Sequence, residues 1–560
     1  MKILLVNPGC LDYRVDDTDA VSVSMGLYYI GAYLKDRQMD VTLVNLAPVR
    51  DYQAFFRQRL KETAPDVVGI SVLSATRFSA MEAAALAKKN KPGVVTVFGG
   101  PGATFLARHL FSVCSALDYI VKGEGEITFF ELLTHIQSKS PYPPFYIKGL
   151  IFKNSGRIEE TRNRELISDL NSLPYPGQYF DLQHVSLSRG CPGSCTFCGS
   201  PAFWGKRQVR FHSPAWFADH LSRLVKRGIT HFYVSDDTFT MDRKRVIQVC
   251  DEIMNRGLDI TWAAISRVDF LNSEILFSMR QAGCVQISFG VESGSGKIRK
   301  NLGKPVKKET IVNAFHLTAA HGMLTRAYFI YGSPGETGDT IAETMGLIAA
   351  IKPLSALFYM LVVFPGTALY QGLKQRSRIS DSIWNERIED IPWFQMDKHL
   401  DFETVKGFGE QLRNSYYASV SQFALNVDLI DKREMYPFHA DFLSRLAMTF
   451  SHGDYDGNKK IRDCDKTAEK LYQRSLSYGP SARAYLGLGM LQQKKKSFSR
   501  AINIIETGLD KFPFDKSLNI CMAVSLMNTG EFNRALVYLD KFSSHRDVEP
   551  YISACMQRSG

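Results

Sequence analysis

The chain has 560 residues, 45% of them hydrophobic and 22% charged. These are the proportions of an ordinary soluble globular protein, long enough for several domains with sizeable cores. We interpret the net charge of +11 as a basic solvated surface, with attraction to anionic substrates, membrane surfaces or nucleic acid as the alternative. The sequence has no dense block of Lys and Arg with interleaved aromatic residues, so a nucleic-acid partner is not expected.

The cysteines and the apolar runs indicate a cellular compartment. Ten cysteines occur, and apart from one triad they are isolated, which favours a reducing environment over a disulfide framework. The first residues, MKILLVNPG, form too short an apolar run for a signal peptide. The apolar run at 354–364 is far shorter than a membrane span. We therefore expect a cytoplasmic protein without a transmembrane segment.

Residues 1–140 alternate between apolar runs, at 3–7, 41–46, 66–72, 94–98 and 119–121, and helical stretches. This pattern predicts a doubly wound parallel sheet, whose ligands bind at the carboxyl ends of the strands. Two of those ends carry glycine loops, GGPGA at 99–103 and GEGE at 123–126, where a large planar ligand could approach the backbone. The alternative is that the glycines only form tight turns, with Glu126 favouring the start of a helix.

Residues 141–184 are predicted to be a connector. Their prolines, in YPPF at 142–145 and LPYP at 173–176, disfavour regular structure and suit a domain junction. Strand and helix alternation resumes over residues 185–375. The strands are predicted at 231–235, 261–265, 286–290, 327–331 and 355–364, and polar motifs follow their ends.

Cys191, Cys195 and Cys198 form a C-x3-C-x2-C triad. Three thiolates within one glycine-containing loop can hold an iron–sulfur cluster. A four-iron cluster then keeps one iron without a protein ligand, and that position can take a substrate or cofactor, as in an open zinc site. Phe197 places an apolar ring beside the third thiolate. The alternatives are a zinc loop, with His212 as the nearest fourth ligand, and three ordinary buried cysteines.

The triad and five later motifs together resemble the radical S-adenosylmethionine (SAM) superfamily, in its branch with an N-terminal cobalamin-binding domain. The motifs are SDDTF at 235–239, SRVD at 266–269, GVESGS at 290–295, YGSPGET at 331–337 and FPGT at 364–367. The resemblance covers residues 1 to about 375. It implies a partial (β/α)6 barrel after the cobalamin-binding domain, and three cofactors: a [4Fe–4S] cluster, SAM and cobalamin. Such barrels place their chemistry at the carboxyl ends of the strands.

The resemblance also implies which residues contact SAM. They are Phe197, Ser235, Asp236, Asp237, Arg267, Glu292, Ser293, Tyr331, Gly332 and Pro334. The positive charge at Arg267 suits the carboxylate of SAM or an amide of cobalamin. The alternatives are that the aspartates cap a turn, that the arginine is a surface charge and that Glu292 caps a helix.

For cobalamin, the glycine loops and the segment at 24–34 suggest a second set of residues. They are Ser24, Met25, Gly26, Ser71, Val72, Leu73, Gly99, Gly100, Pro101, Gly123 and Glu124. The chain has no Asp-x-His-x-x-Gly motif, so we expect no histidine on cobalt and interpret His109 as a surface helix residue. Methylthiotransferases, which share the triad, usually carry further cluster cysteines in their first domain; here only Cys10 and Cys114 occur, far apart.

The last two regions are predicted to be helical. Residues 376–460 would close the site and choose the substrate, as in related enzymes. Over residues 461–560, Phe498 and Ala501 recur 34 residues later as Phe532 and Ala535, which resembles tetratricopeptide helix pairs. We expect a separable helical module there, with a tail packed on the barrel as the alternative.

The resemblance implies a cobalamin-dependent radical SAM enzyme that methylates an unactivated carbon, with SAM as both methyl donor and radical source. Oxidative cyclisation or rearrangement, as in the anaerobic porphyrin cyclase, is the alternative within the family. A non-catalytic scaffold that uses the helical repeats is the alternative of another class. Expected partners are a small-molecule or lipid substrate, an electron donor such as flavodoxin or ferredoxin, and a possible protein partner at the repeats.

Overall fold

The structure is a computed structural model that describes residues 1–9, 22–205, 207–376, 378–385 and 395–558. Cys10 lies outside the described residues. No helix within these ranges has the length and apolar character needed to span a bilayer. Two sheets with mainly parallel strands, each surrounded by helices, are followed by a group of helices.

The first sheet contains seven strands: β1 (Lys2–Asn7), β2 (Asp40–Asn45), β3 (Val67–Ser71), β4 (Val95–Gly99), β5 (Tyr119–Val121), β6 (Leu150–Asn154) and β7 (Arg157–Glu160). Their order is β2-β1-β3-β4-β5-β6-β7. The pairs among β1 to β5 are parallel, whereas β6 and β7 join antiparallel. The predicted doubly wound sheet is confirmed.

Helices cover both faces of this sheet: α1 (Met25–Asp36), α2 (Tyr52–Thr63), α3 (Arg77–Asn90), α4 (Pro101–Phe105), α5 (Ala107–Val113) and α6 (Glu126–Gln137). Successive residues of a strand point to opposite faces. Leu4 and Val6 therefore belong to one hydrophobic core and Ile3 and Leu5 to another. Burial on both faces explains why β1 is a continuous apolar run.

The connector forms regular structure that its prolines did not predict. β6 and β7 are joined by Ser155 and Gly156, which have φ of 48° and 81°. Two consecutive positive φ values suit a tight two-residue hairpin. The prolines lie outside both strands, so they leave the ladder intact. The connector thus extends the first sheet.

The second region begins with β8 (His184–Val185) and a short ribbon of β9 (Ser188–Arg189) and β10 (Arg210–Phe211) that flanks the cysteine loop. It continues with β11 (His231–Val234), β12 (Thr261–Ser266), β13 (Cys284–Glu292), β14 (Leu324–Tyr331) and β15 (Ser355–Met360). Six parallel strands form a sheet in the order β15-β14-β13-β12-β11-β8. This is the six-stranded βα arrangement that the resemblance implied.

Eight helices of this region lie between or beside the strands. They are α7 (Ser200–Phe203), α8 (Pro214–Val225), α9 (Arg243–Asn255), α10 (Ser273–Gln281), α11 (Gly296–Asn301), α12 (Lys308–Ala320), α13 (Gly338–Ile351) and α14 (Ala368–Gln375). On the helix-facing side of the sheet, Val234, Ala264, Phe289, Ala327 and Phe329 are buried in one large core.

The remaining helices are α15 (Phe402–Leu425), α16 (Tyr436–Ser451), α17 (Cys464–Tyr478), α18 (Ala482–Lys494), α19 (Phe498–Leu509), α20 (Lys516–Asn528), α21 (Phe532–Leu539) and α22 (Glu549–Met556). Phe498 and Phe532 begin α19 and α21, and Ala501 and Ala535 are fully buried in one core. The sequence repeat thus corresponds to a structural repeat of helix pairs.

The hydrophobic core of the barrel includes residues beyond 461. Leu471 and Tyr472 of α17 and Leu488 and Leu491 of α18 belong to the same hydrophobic core as the barrel. Ser475 Oγ also donates to the carbonyl of Ala440 at 2.7 Å. The first two helices of the repeat region therefore pack as part of the barrel unit.

Candidate active site

A cavity with about 1210 Å³ of space unoccupied by atoms, part of it open to solvent, lies between the two sheets. Its first wall is the carboxyl edge of β1, β3, β4 and β5, where the order β2-β1-β3 reverses direction. Open parallel sheets bind ligands at such a switch point. Its second wall comes from the barrel side and includes Ser188, Arg189, Ser235 and Asp237.

Of the residues implied for cobalamin, all but Val72 line this cavity: Ser24, Met25, Gly26, Ser71, Leu73, Gly99, Gly100, Pro101, Gly123 and Glu124. Val72 is fully buried, and its amide donates to Gly99 at 2.8 Å. Ser24 is fixed at the start of α1, because its amide and hydroxyl donate to Asn7 Oδ1 at 3.1 and 3.2 Å.

Two loop positions on the cavity wall require glycine. Gly100 has a φ of 92°, and a Cβ built on it would lie 3.1 Å from the carbonyl oxygen of Val72. Gly123 has a φ of 64° with open space around it. L side chains rarely adopt such angles. The backbone is therefore bare where a large planar ligand would lie, and the cavity fits cobalamin.

The three cysteines share the loop between β9 and α7, and two of them lie around Gly193. A Cβ built on Gly193 would lie 3.3 Å from Cys191 Sγ, 3.9 Å from Cys195 Sγ and 3.6 Å from Arg267 Nη1. The thiols are partly exposed and have no disulfide partner. Burial raises the pKa of each, that of Cys198 to about 11. Three soft ligands around a bare backbone cradle fit an iron–sulfur cluster.

Backbone hydrogen bonds hold the cysteine loop against the later motifs. The amide of Thr196 donates to Leu302 at 2.9 Å, and its carbonyl accepts from the amide of Leu369 at 2.9 Å. Phe197 packs beside a small apolar cluster that includes Leu302 and Leu361. The cysteine loop thus contacts the segments that follow the GVESGS and FPGT motifs.

The zinc alternative is not supported by the position of its fourth ligand. His212 stacks on Trp216, with ring centroids 3.6 Å apart, and its Nε2 lies 3.4 Å from the hydroxyl of Tyr29. Over the described ranges of the chain, no three His, Cys, Asp or Glu side chains are arranged to hold a single metal ion. The imidazole is instead part of an aromatic stack.

The SDDTF motif divides between the cavity and the interior. Ser235 and Asp237 line the cavity, and Asp237 Oδ2 accepts from Ser200 Oγ at 2.6 Å and Trp204 Nε1 at 3.3 Å. Asp236 is buried, and accepts from the amide of Leu187 at 2.8 Å and from Ser188 Oγ. Burial raises the pKa of Asp236 to about 6. Its contacts position the strand that leads to the cysteines.

Arg267 and Glu292 lie beside the cysteine loop, each with an internal partner. Nε and Nη2 of Arg267 donate to Asp269 at 2.9 and 2.7 Å. Glu292 has a φ of 66° and accepts from Lys304 Nζ at 2.8 Å. A left-handed non-glycine residue at a strand end marks strain of the kind found at functional sites. Ser293 is buried, 3.3 Å from the hydroxyl of Thr344.

The YGSPGET segment forms a turn after β14 that packs on α15. The hydroxyl of Tyr331 accepts from Arg413 Nη1 at 3.3 Å. Gly332 has a φ of 85°, and its amide donates to Glu336 Oε2 at 2.6 Å. Pro334 is half-buried within this turn. None of these residues is on the wall of the cavity.

Several cavity residues were not predicted. Arg189 donates from Nη1 to Glu124 Oε1 and from Nη2 to Glu126 Oε1, both at 2.7 Å. Arg210 Nη1 donates to the Glu124 carboxylate at 3.0 Å. The carboxylate of Glu124 thus joins the two domains. Phe203 and Trp204 also line the cavity.

His109 is buried in α5 rather than exposed. Its Nε2 has no hydrogen-bond partner among the described atoms, and burial lowers the pKa of the ring. Its ring lies near Asp381, Arg77 and the backbone of Trp384. His109 is not on the cavity wall.

Comparison with known proteins gives two matching families. The sequence model of the Radical SAM superfamily matches residues 185–348, and that of the B12 binding domain matches residues 15–133. An uncharacterized methyltransferase of Pyrococcus horikoshii is 29% identical over 74% of this chain and 92% of its own length. The anaerobic magnesium-protoporphyrin IX monomethyl ester cyclase of Rubrivivax gelatinosus is 27% identical over 63% and 66%.

A solved structure shares the whole architecture. It is the cobalamin-dependent S-adenosylmethionine radical enzyme OxsB with aqua-cobalamin bound, with a TM-score of 0.60, 16% identity and coverage of 99% of this chain and 84% of that one. At this identity the likeness establishes the fold.

Proposed function

The chain belongs to the cobalamin-dependent radical SAM enzymes, and on this premise we propose that it transfers a methyl group to an unactivated carbon of a small organic substrate. One observation carries the proposal. A single cavity is lined both by the glycine loops of the first sheet and by the strand that leads into the cysteine triad. A substrate beside this cavity would be within reach of two cofactor sites.

Each site has residues suited to its group. Cys191, Cys195 and Cys198 would hold the [4Fe–4S] cluster, with SAM on the iron that has no protein ligand. The loops at Gly99 and Gly123 would hold cobalamin. When bound, the cluster with SAM supplies a 5′-deoxyadenosyl radical and cobalamin supplies the methyl group.

The protein's own residues hold these sites in place and limit water. The wall of the cavity includes Phe98, Phe129, Phe203 and Trp204, which present apolar surface. Trp204 is fixed through its donation to Asp237. A radical is protected from quenching where apolar side chains exclude water and side reactions.

The relatives favour methyl transfer over cyclisation. The Pyrococcus relative is named a methyltransferase and aligns over 92% of its own length. The relative that is named a cyclase aligns over only 66% of its length. Oxidative cyclisation is therefore the second candidate function.

An isotope experiment separates the two reactions. The holoenzyme would be incubated anaerobically with cell extract, a reductant and SAM that carries a trideuterated methyl group. Methyl transfer predicts S-adenosylhomocysteine together with 5′-deoxyadenosine, and a product that is heavier by the labelled methyl. Formation of 5′-deoxyadenosine without S-adenosylhomocysteine would favour cyclisation. A protein that releases neither would support the scaffold function.

The proposal extends to the electron source. Cleavage of SAM consumes an electron, so we assign a flavodoxin or ferredoxin as its donor. The described cysteines other than Cys555 form no disulfide, which supports a reducing compartment, and we place the reaction in the cytoplasm. Replacing the natural donor by chemical dithionite in the assay tests whether a protein donor raises the turnover.

A further inference from the structure

The inner face of the barrel sheet is open rather than filled. On the strands, Ile265, Leu357 and Tyr359 have 38%, 36% and 47% of their surface exposed. Their neighbours Ala264 and Ala356 are buried in the core against the helices. Because side chains alternate along a strand, the exposed set points to the face opposite the helices. Closed βα barrels fill that face with packed side chains, so here it borders a space.

The strand register places the guanidinium of Arg326 in this space. Ile265 pairs with Ser288, Ser288 with Arg326 and Arg326 with Ser355, so the four share a row across the sheet. The adjacent row pairs Tyr328 with Leu357. Apolar side chains thus lie beside the guanidinium of Arg326. The ion pair of Lys304 with Glu292 lies over Gly290, which pairs with Tyr328.

Arg326 has no anionic partner among the residues that the structure describes. Its Nε donates to Ser355 Oγ at 3.3 Å, and within the described part of the chain no carboxylate forms an ion pair with it. Charged side chains are almost never fully buried without a partner, and Arg326 is partly buried. A guanidinium matches the two oxygens of a carboxylate or phosphate.

This space adjoins the cofactor cavity. Ser235, which lines the cavity, follows Val234, and Val234 pairs with Ala264 of β12. Ile265 is the next residue of β12. A molecule in the barrel would therefore reach the wall shared with the cofactor sites.

We propose that the barrel interior binds a substrate with an apolar body and one anionic group, a carboxylate or phosphate, held by Arg326. The apolar body lies against Ile265, Tyr328, Leu357 and Tyr359. This inference rests on the proposed function, since it concerns the substrate of the same reaction.

A matched pair of probes tests it in the holoenzyme. 8-Anilinonaphthalene-1-sulfonate and N-phenyl-1-naphthylamine share their rings, and only the first carries an anion. Fluorescence titration should show that Arg326→Met weakens binding of the sulfonate about tenfold, the loss of one charge-assisted contact, and leaves the neutral probe unchanged. Arg500→Met, at an exposed position of α19, should change neither.

A second variant locates the site. Leu357→Trp should weaken both probes, because it fills the apolar space. Sulfonate binding that is absent in the wild type, or equal in the Arg326→Met protein, would overturn the proposal, as would unaltered binding of both probes by Leu357→Trp. Octanoate and octyl phosphate should displace the sulfonate probe at concentrations where octanol does not. The competitor that binds more tightly shows whether the site prefers a carboxylate or a phosphate.

Iron and cobalamin contents, measured on the same preparations, separate this inference from the function on which it rests. Normal cofactor contents and labelled methyl transfer together with failed probe binding would refute only the substrate class. Absence of the cofactors from the wild type would refute the function itself.

Discussion

Arg189 lies two residues before the first cysteine of the triad and donates to Glu124 of the other domain at 2.7 Å. Its second terminal nitrogen binds Glu126 at the same distance. The side chains are 11%, 4% and 4% exposed. The guanidinium also lies over the ring of Tyr29, 4.7 Å from its centroid. One side chain therefore fixes the loop after β5 relative to the cysteine loop.

Replacing this arginine should loosen the junction between the cofactor sites. Breaking a buried ion pair costs about 3–5 kcal/mol, because the remaining charges lose their partner. We expect Arg189→Met to lower the midpoint of thermal unfolding and to speed cobalamin loss during gel filtration, with iron content kept. Arg227→Met removes a more exposed pair with Asp181, which is worth about 0–1 kcal/mol. If both variants retain cobalamin equally, the junction does not hold the cofactor.

A bulky side chain on the cavity wall should exclude cobalamin and leave the cluster in place. Gly26 suits this test better than Gly100, because no described atom lies within 4 Å of its Cβ position and its φ is not in the left-handed region. We expect the Gly26→Trp protein to show no cobalamin absorbance. It should still contain about four irons per chain. Gly93→Trp, also in open space but at the amino end of β4, should bind both. Cobalamin uptake by the Gly26 variant would contradict the assigned site.

Removing the triad should abolish the cluster and SAM cleavage together. The triple Cys→Ala variant at 191, 195 and 198 should contain no iron after anaerobic reconstitution, against about four per chain in the wild type. Cobalamin binding should persist, since the cavity wall is unchanged. Cys464→Ala removes another partly exposed thiol and serves as the control. A triple variant that still releases 5′-deoxyadenosine would refute the assignment.

The free energy of unfolding should fall between acid and neutral pH because Glu336 loses its proton. Burial raises the pKa of its carboxyl from about 4.5 to about 7, and its Oε1 has no partner among the described atoms. The folded chain therefore binds more protons than the unfolded chain between these values, so the free energy of unfolding falls as the pH rises through them. The group's contribution is lost by about pH 7, on the order of 3 kcal/mol.

Glu336→Gln removes the titrating group and should flatten the pH dependence of the free energy of unfolding, with a gain in stability above pH 7. Glu403→Gln changes an exposed carboxylate and should leave the dependence unaltered. Parallel urea titrations at pH 5 and pH 8 measure the difference. If the free energy of unfolding changes between pH 5 and pH 8 as much in the Glu336→Gln protein as in the wild type, the Glu336 carboxyl is charged in the folded state at both pH values.

A chain that ends after Lys496 should fold and hold the cluster, whereas a chain that ends after Lys460 should not. The shorter chain loses α17 and α18, whose Leu471, Tyr472 and Leu491 are fully buried in the barrel core. Each such side chain contributes about 1.5–3 kcal/mol, so the loss is comparable with a total stability of about 5–15 kcal/mol. We expect cooperative thermal unfolding and full iron content only in the chain that ends after Lys496. A folded, iron-containing chain ending at Lys460 would make the whole repeat region separable.

The strands of both sheets could be predicted because buried parallel strands are continuous apolar runs. The run at 3–7 differs by one residue from β1, and that at 119–121 coincides with β5. The short strands β8 and β9 were missed, since two residues carry no periodicity. The hairpin of β6 and β7 was missed because the neighbouring prolines dominated the pattern.

The sequence motifs predicted which segments form the site, but they did not predict which side chains of each segment face the cavity. Asp236 and Asp237 are adjacent in a single motif, yet one faces the interior and the other the cavity. A motif names positions after a strand, but the local backbone decides which neighbour points inward. The pair of Arg189 and Glu124 was beyond local patterns, because its partners are 65 residues apart in sequence.

The participation of α18 in the barrel core has a consequence for synthesis on the ribosome. The first sheet can complete its pairing once β7 has emerged, whereas the second core lacks Leu488 and Leu491 until most of the chain is made. At about 5–20 residues per second, the cysteine loop would be displayed on an unfinished barrel for roughly 15–60 s. We therefore expect the cluster site to reach its final geometry only after α18 has been made.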